Sequence, residues 1–165
     1  MGRTAQDDGR GAGPESGTEI DRPMTRTPVP LTFFCVGIVV ADLEQGVHRL
    51  SAGLGVEFTR PATVFGLSIA VSRTGSPHYQ LIQATGDDGP FATADTDRAR
   101  YYGCWEQNTE RRLAQLAARG VVVECVLRES SQASPSAVIT GPDLAGGRIA
   151  YVATRLRPAI EEWAR

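Results

Sequence analysis

Cysteine, histidine and long apolar runs are all scarce in this 165-residue chain, and each shortage removes a class of explanation. The three cysteines, Cys35, Cys104 and Cys125, are odd in number and lack the close pairs of a zinc site. A disulfide framework is therefore not expected, and reduced thiols in or near the core are. No apolar run approaches the ~20 residues that span a bilayer, and the N-terminus lacks the apolar core of a secretory signal. The expectation is a cytoplasmic protein with no membrane partner. Basic residues number 17 against 19 acidic ones, for a net charge of -2, and they are scattered. Nothing tracks a phosphate backbone, so no nucleic-acid partner is expected.

What is present is an ordinary apolar fraction of 41%, enough for one domain with a core or for two small modules sharing an interface. Residues 1–30 are rich in Gly, Asp, Arg, Thr and Pro with almost no large apolar side chains, and read as a disordered leader in which Met24 is an alternative start. Residues 31–165 form the folded unit. Val36, Ile38 and Val40 alternate at period two, which predicts a strand pressing one face on a helix while Cys35, Gly37 and Val39 look the other way. Asp42 caps a helix that carries Leu43, Val47, Leu50 and Leu54 on one face and ends at Gly55 in a left-handed turn. Strands are predicted over Val56 to Pro61, Leu67 to Arg73 and His78 to Gln83, with a polar linker from Thr85 to Asp97.

The order then repeats. Arg100 to Trp105 is a strand with a central glycine, and Asn108 opens a helix reaching Arg119, with Leu113, Leu116 and Ala117 inward. Strands follow at Val121 to Arg128, Ala137 to Thr140 and Arg148 to Ala153, and a short helix from Pro158 to Arg165 closes the chain. The fold class is α+β: two βαβββ modules, about 32–84 and 99–156.

Paired βαβββ modules with Val-Gly-Ile-Val-Val-Ala-Asp-Leu at the first strand, Gln-Leu-Ile-Gln closing the first module and Gly-Gly-Arg-Ile-Ala-Tyr-Val at the end resemble the vicinal oxygen chelate superfamily. That group contains glyoxalases, extradiol dioxygenases, methylmalonyl-CoA epimerases and bleomycin-resistance proteins. The resemblance implies curved sheets enclosing a cleft that often holds a divalent metal. Its ligand positions fall here on Cys35, Gln80, Tyr101 and Ala150, and all four depart from the family pattern. They offer one thiolate and no carboxylate, so no metal and no cofactor is expected. His48 falls on a solvated helix face, and His78 shares the strand parity of Gln80.

Parity then gives the lining of a metal-free cleft: the first strand's Cys35 face, Ser68 with Ala70 and Ser72, His78 with Gln80, Tyr101 with Trp105, and Arg148 with Ala150. Tyr101, Gln80, His78 and Glu106 are the candidate acid–base groups. Cys35, Ser68, Trp105, Arg148 and Ala150 are the candidate substrate contacts. Each has a plainer reading: Tyr101 as a filler of vacated volume, Trp105 and Cys35 as packing, Glu106 and Glu124 as solvated strand-end charges, Arg148 as a rim ion pair. Two functions remain open. One is a metal-independent enzyme of specialised, polyketide-like metabolism that promotes cyclisation, dehydration or isomerisation of an aromatic or polycyclic small molecule. The other is a non-catalytic protein of the bleomycin-resistance type that sequesters an antibiotic. A homodimer is expected for either.

Overall fold

Strand β1 (Phe33–Val40) stands at the centre of an eight-stranded sheet, because its two faces carry different loads. The computed structural model describes residues 31–165 apart from 88, 94, 95, 98, 99, 144 and 145, so the leader over 1–30 lies outside the described residues. On one face of β1, Val40 packs with Leu43, Ala70 and Leu81 beneath helix α1 (Leu43–Leu54). On the other, Phe34, Cys35 and Val39 join the main core cluster.

Local chemistry fixes the ends of α1 as the sequence predicts. Asp42 accepts from the Gln45 N–H at 2.8 Å, and Gly55 closes the helix at φ 66°. Strands β2 (Ala62–Val64) and β3 (Leu67–Val71) form a hairpin whose turn is Phe65 and Gly66, both at positive φ. The strand expected over 56–61 is not formed as such: Phe58 makes only an isolated bridge to Ser72, and pairing resumes after Pro61, which has no N–H to donate. Strand β4 (His78–Gln83) runs parallel to β1 and completes the first module.

The second module follows the same order. Strand β5 (Arg100–Glu106) leads to helix α2 (Thr109–Ala118), whose N-terminus is capped by the Asn108 side chain. Leu116 is buried under α2 beside Cys104, Val138 and Tyr151, and Leu113 is half-buried there, whereas Ala117 is exposed rather than inward. Strands β6 (Val123–Leu127), β7 (Ala137–Thr140) and β8 (Gly147–Ala153) complete the module. A 3-10 turn, Thr154–Leu156, then leads into α3 (Arg157–Trp163).

Strand order is β2-β3-β4-β1-β5-β8-β7-β6, so the modules meet at an antiparallel β1–β5 seam and mirror each other outward from it. The result is the α+β, glyoxalase-like architecture, with α1 and α2 on the outer face and the main core on the inner one. No helix among the described residues is long and apolar enough to cross a membrane.

Candidate functional site

The inner face carries a cavity of about 260 Å³ that is partly open to the outside. Its floor is the middle of the sheet, where two rows of residues run across the strands. One row is Gln80, Gly37, Tyr101 and Arg148; the other is His78, Cys35, Gly103 and Ala150. The four positions that the resemblance singles out, Cys35, Gln80, Tyr101 and Ala150, thus all line one space, together with His78. Leu67, Ile69 and Val71 of β3 form one wall, and Ile160 and Trp163 of α3 form the cover.

Two glycines shape the floor. A Cβ at Gly37 would lie 1.8 Å from Cε1 and Cζ of Tyr101, and one at Gly103 would lie 2.3 Å from Cys35 Sγ. Each glycine therefore leaves the volume that the facing strand's larger side chain occupies, in the register Gly37 with Tyr101 and Cys35 with Gly103. The Tyr101 ring thus lies over Gly37, whose other strand neighbour is Gln80.

Tyr101 is 5% exposed, and its Oη is buried without a hydrogen-bond partner. Burial holds its pKa well above the usual phenol value, with the neighbouring Cys35 adding to the rise, so the hydroxyl keeps its proton. Burial likewise pushes the Cys35 thiol up to about 12, against a backbone hydrogen bond from Gly103 that lowers it. A neutral thiol donates, and Cys35 Sγ reaches Gln80 Oε1 at 3.5 Å, leaving the Gln80 amide N–H groups for another acceptor. His78 Nδ1 lies 3.1 Å from the Ser72 carbonyl. A carbonyl only accepts, so Nδ1 carries a proton, and in the neutral tautomer that this hydrogen bond selects the lone pair lies on Nε2.

Four sequence candidates stand elsewhere. Ser68 is on the opposite face of β3, because Ile69 pairs with Ile82 and Val71 with Gln80, which puts the odd-numbered residues on the cavity side. Trp105 stacks on Phe34 at 3.7 Å between ring centroids and 12° between planes, which places Phe34 rather than Trp105 on the cavity wall. Arg148 donates from Nε to Glu124 Oε2 at 2.7 Å and does not line the cavity. Glu106 faces α2, held by Arg112 Nε at 2.6 Å and by the Asn108 N–H at 3.0 Å.

Two wall residues escape period-two reasoning. A register shift between Phe33 and Cys35 is a β-bulge that re-aims Phe34 onto the cavity face. Phe91 lies in the stretch read as a polar linker, yet it is 7% exposed and meets the Tyr101 ring edge-on at 6.5 Å. Hydrogen bonds from Thr85 N to Phe91 O and from Thr93 N to Gly86 O close that loop and hold the ring in place. The signal that could have found it is a lone large aromatic in an otherwise small and polar segment.

The donor set does not fit a divalent ion. Ala150 has no donor atom, Gln80 and Tyr101 bring no carboxylate or imidazole, and Cys35 is a lone thiol; among the described residues no three His, Cys, Asp or Glu side chains gather into a metal-sized group.

The sequence profile of the Glyoxalase/Bleomycin resistance protein/Dioxygenase superfamily matches residues 35–134, more than half of the chain. No curated protein matches the sequence. Among solved structures, the chain is similar to a variant of Streptomyces coelicolor methylmalonyl-CoA epimerase in complex with 2-nitronate-propionyl-CoA, with a TM-score of 0.56 and 20% identity over 75% of this chain and 95% of that one. A hypothetical protein from Bacillus halodurans gives a TM-score of 0.57 at 14% identity, over 74% of this chain and 94% of that one. The methylmalonyl-CoA epimerase of Mycobacterium tuberculosis gives 0.53 at 22% identity, over 73% and 86%. At these identities the likeness speaks to the fold.

Proposed function

Because the chain belongs to the glyoxalase/bleomycin resistance protein/dioxygenase superfamily, we propose that it is a small-molecule enzyme in which acid–base chemistry has replaced metal chemistry. The ligand is an aromatic or polycyclic, polyketide-like compound, and the reaction is a cyclisation, dehydration or isomerisation. One observation carries this reading: a buried phenol hydroxyl with no hydrogen-bond partner, on a residue that lines a cavity together with Cys35, Gln80 and Ala150.

The chemistry follows from the hydrogen-bond donors and acceptors among the lining side chains. His78 Nε2 takes a proton from the carbon beside a ligand carbonyl, and the C–H electron pair moves onto the carbonyl oxygen. Tyr101 Oη–H and the Gln80 amide hydrogen-bond that oxygen as it gains charge. Returning the proton to another carbon completes an isomerisation. For a dehydration the His78 imidazolium returns its proton to the β-hydroxyl, which leaves as water; for a ring closure the enolate carbon attacks a second carbonyl and the imidazolium protonates the new alkoxide. Glu106 has no part in this scheme, because it is engaged with Arg112 on the outer face. Cys35 positions Gln80. The working form is proposed to be a cytoplasmic homodimer, which light scattering after size exclusion would check.

The test is deuterium uptake. In D₂O, the protein should speed exchange of the methyl hydrogens of 2-acetylnaphthalene, read by proton NMR. Tyr101→Phe should slow that exchange by about 10²–10³-fold, the usual loss of an oxyanion donor. A bound ketone that exchanges no faster than in buffer overturns the enzyme reading. It would leave the sequestering alternative, which the apolar wall of Leu67, Ile69 and Val71 also suits.

A further inference from the structure

Charge is missing from the cavity wall. Among the described residues that line it, none is Asp, Glu, Lys or Arg. The cation that β8 brings toward this face, Arg148, is 8% exposed and bound to Glu124 through Nε at 2.7 Å, with Nη2 at 3.5 Å from the second carboxylate oxygen. A phosphate or ammonium entering this space would lose its hydration and meet no Asp, Glu, Lys or Arg, and a carboxylate would have only the hydrogen bonds of Tyr101, Gln80 and His78 in exchange for its hydration shell.

Polar side chains among the lining residues are Tyr101, Gln80, His78 and Ser136, and two of them offer donors side by side. Tyr101 Oη–H is unpartnered, and the Gln80 amide shares its row, across a glycine that puts no side chain between them. Gln80 Oε1 is already occupied by the Cys35 thiol. Volume adds a third constraint. A cavity of about 150 Å³ is known to hold one benzene ring, so 260 Å³ suits a body of about two fused rings.

We infer that the ligand is an uncharged, two-ring-sized compound with an apolar body and one carbonyl oxygen seated between Tyr101 and Gln80. This rests on the proposed function for the location of the site, but concerns binding and not turnover. It also separates this chain from the neighbours crystallised with CoA esters, whose ligands carry phosphates.

Three nearly isosteric probes test it by isothermal titration: 2-acetylnaphthalene, 2-ethylnaphthalene and 2-naphthoate. The ketone should bind about tenfold tighter than the hydrocarbon, the worth of one net hydrogen bond, and at least about 100-fold tighter than the carboxylate. In Tyr101→Phe the preference for ketone over hydrocarbon should fall to about twofold or less, while 2-ethylnaphthalene binds as before. Retained hydrocarbon binding also shows that the variant keeps its fold. Equal or tighter binding of 2-naphthoate overturns the inference, as does a ketone preference that survives Tyr101→Phe, or failure of all three probes to bind. Binding in the expected order without deuterium exchange leaves this inference standing and removes the enzyme reading alone.

Discussion

Tyr101→Phe should stabilise the free protein, although it deletes a hydrogen-bonding group. In the folded chain Oη is buried and unpartnered, whereas in the unfolded chain water satisfies it. Folding therefore carries the cost of stripping that hydroxyl, about 1–3 kcal/mol. Phenylalanine keeps the ring, its edge-on contact with Phe91 at 6.5 Å, and its place over Gly37, so no cavity of consequence is created. For a chain of this size about 1 kcal/mol raises Tm by about 2–4 °C, and the variant should melt at least that much higher. Differential scanning calorimetry, with urea unfolding as a second measure, reads the effect in ligand-free protein. Adding 2-acetylnaphthalene should narrow the gap, because a ligand that hydrogen-bonds Oη stabilises the parent more than the variant. An unchanged or lower Tm in the free variant would show that the hydroxyl is satisfied in solution. The site would then lose its unpaired donor, and the functional argument with it.

Gly37→Ala should destabilise by about 3 kcal/mol or more, since its Cβ would enter the Tyr101 ring at 1.8 Å, and adding Tyr101→Ala should recover part of the loss in a denaturation double-mutant cycle. Alkaline conditions should weaken the fold. The Cys35 and Cys104 thiols are held at about 12 and about 11, above their ordinary 9.0, so between those values the unfolded chain releases protons that the folded chain keeps. Stability should fall as pH rises from about 9 to about 12, and Cys35→Ala should flatten that slope in urea titrations across the range. Deleting residues 157–165 removes the Ile160 and Trp163 cover. It should raise binding of the dye ANS several-fold while far-ultraviolet circular dichroism keeps its sheet signal.

Periodicity and caps made much of this architecture legible. β7 falls where the sequence places it, and Asp42, Gly55 and Asn108 mark helix ends because those signals are local. Strand β3 shows where such signals stop. Leu-Ser-Ile-Ala-Val-Ser alternates large apolar with small residues, but the pattern alone does not say which set faces the cleft; the pairing of Ile69 with Ile82 does. The register shift at Phe34, the buried Phe91 and the cover supplied by α3 arise from chain segments meeting in space, which no period in the sequence encodes. The resemblance located Cys35, Gln80, Tyr101 and Ala150, and the structure places all four on one cavity.

The seam between the modules has a consequence for how such a chain could be cut. Cys35 faces Gly103 and Gly37 faces Tyr101, so the bulky and the empty positions alternate in the same sense on both strands. A fragment ending after β4 would expose an edge whose knob and socket are complementary to those of an identical fragment turned by half a revolution. Two such halves could rebuild an eight-stranded sheet around Gly37, each thiol settling over the other's glycine. The join thus keeps the geometry of an assembly of equal parts, even though one continuous chain now supplies both.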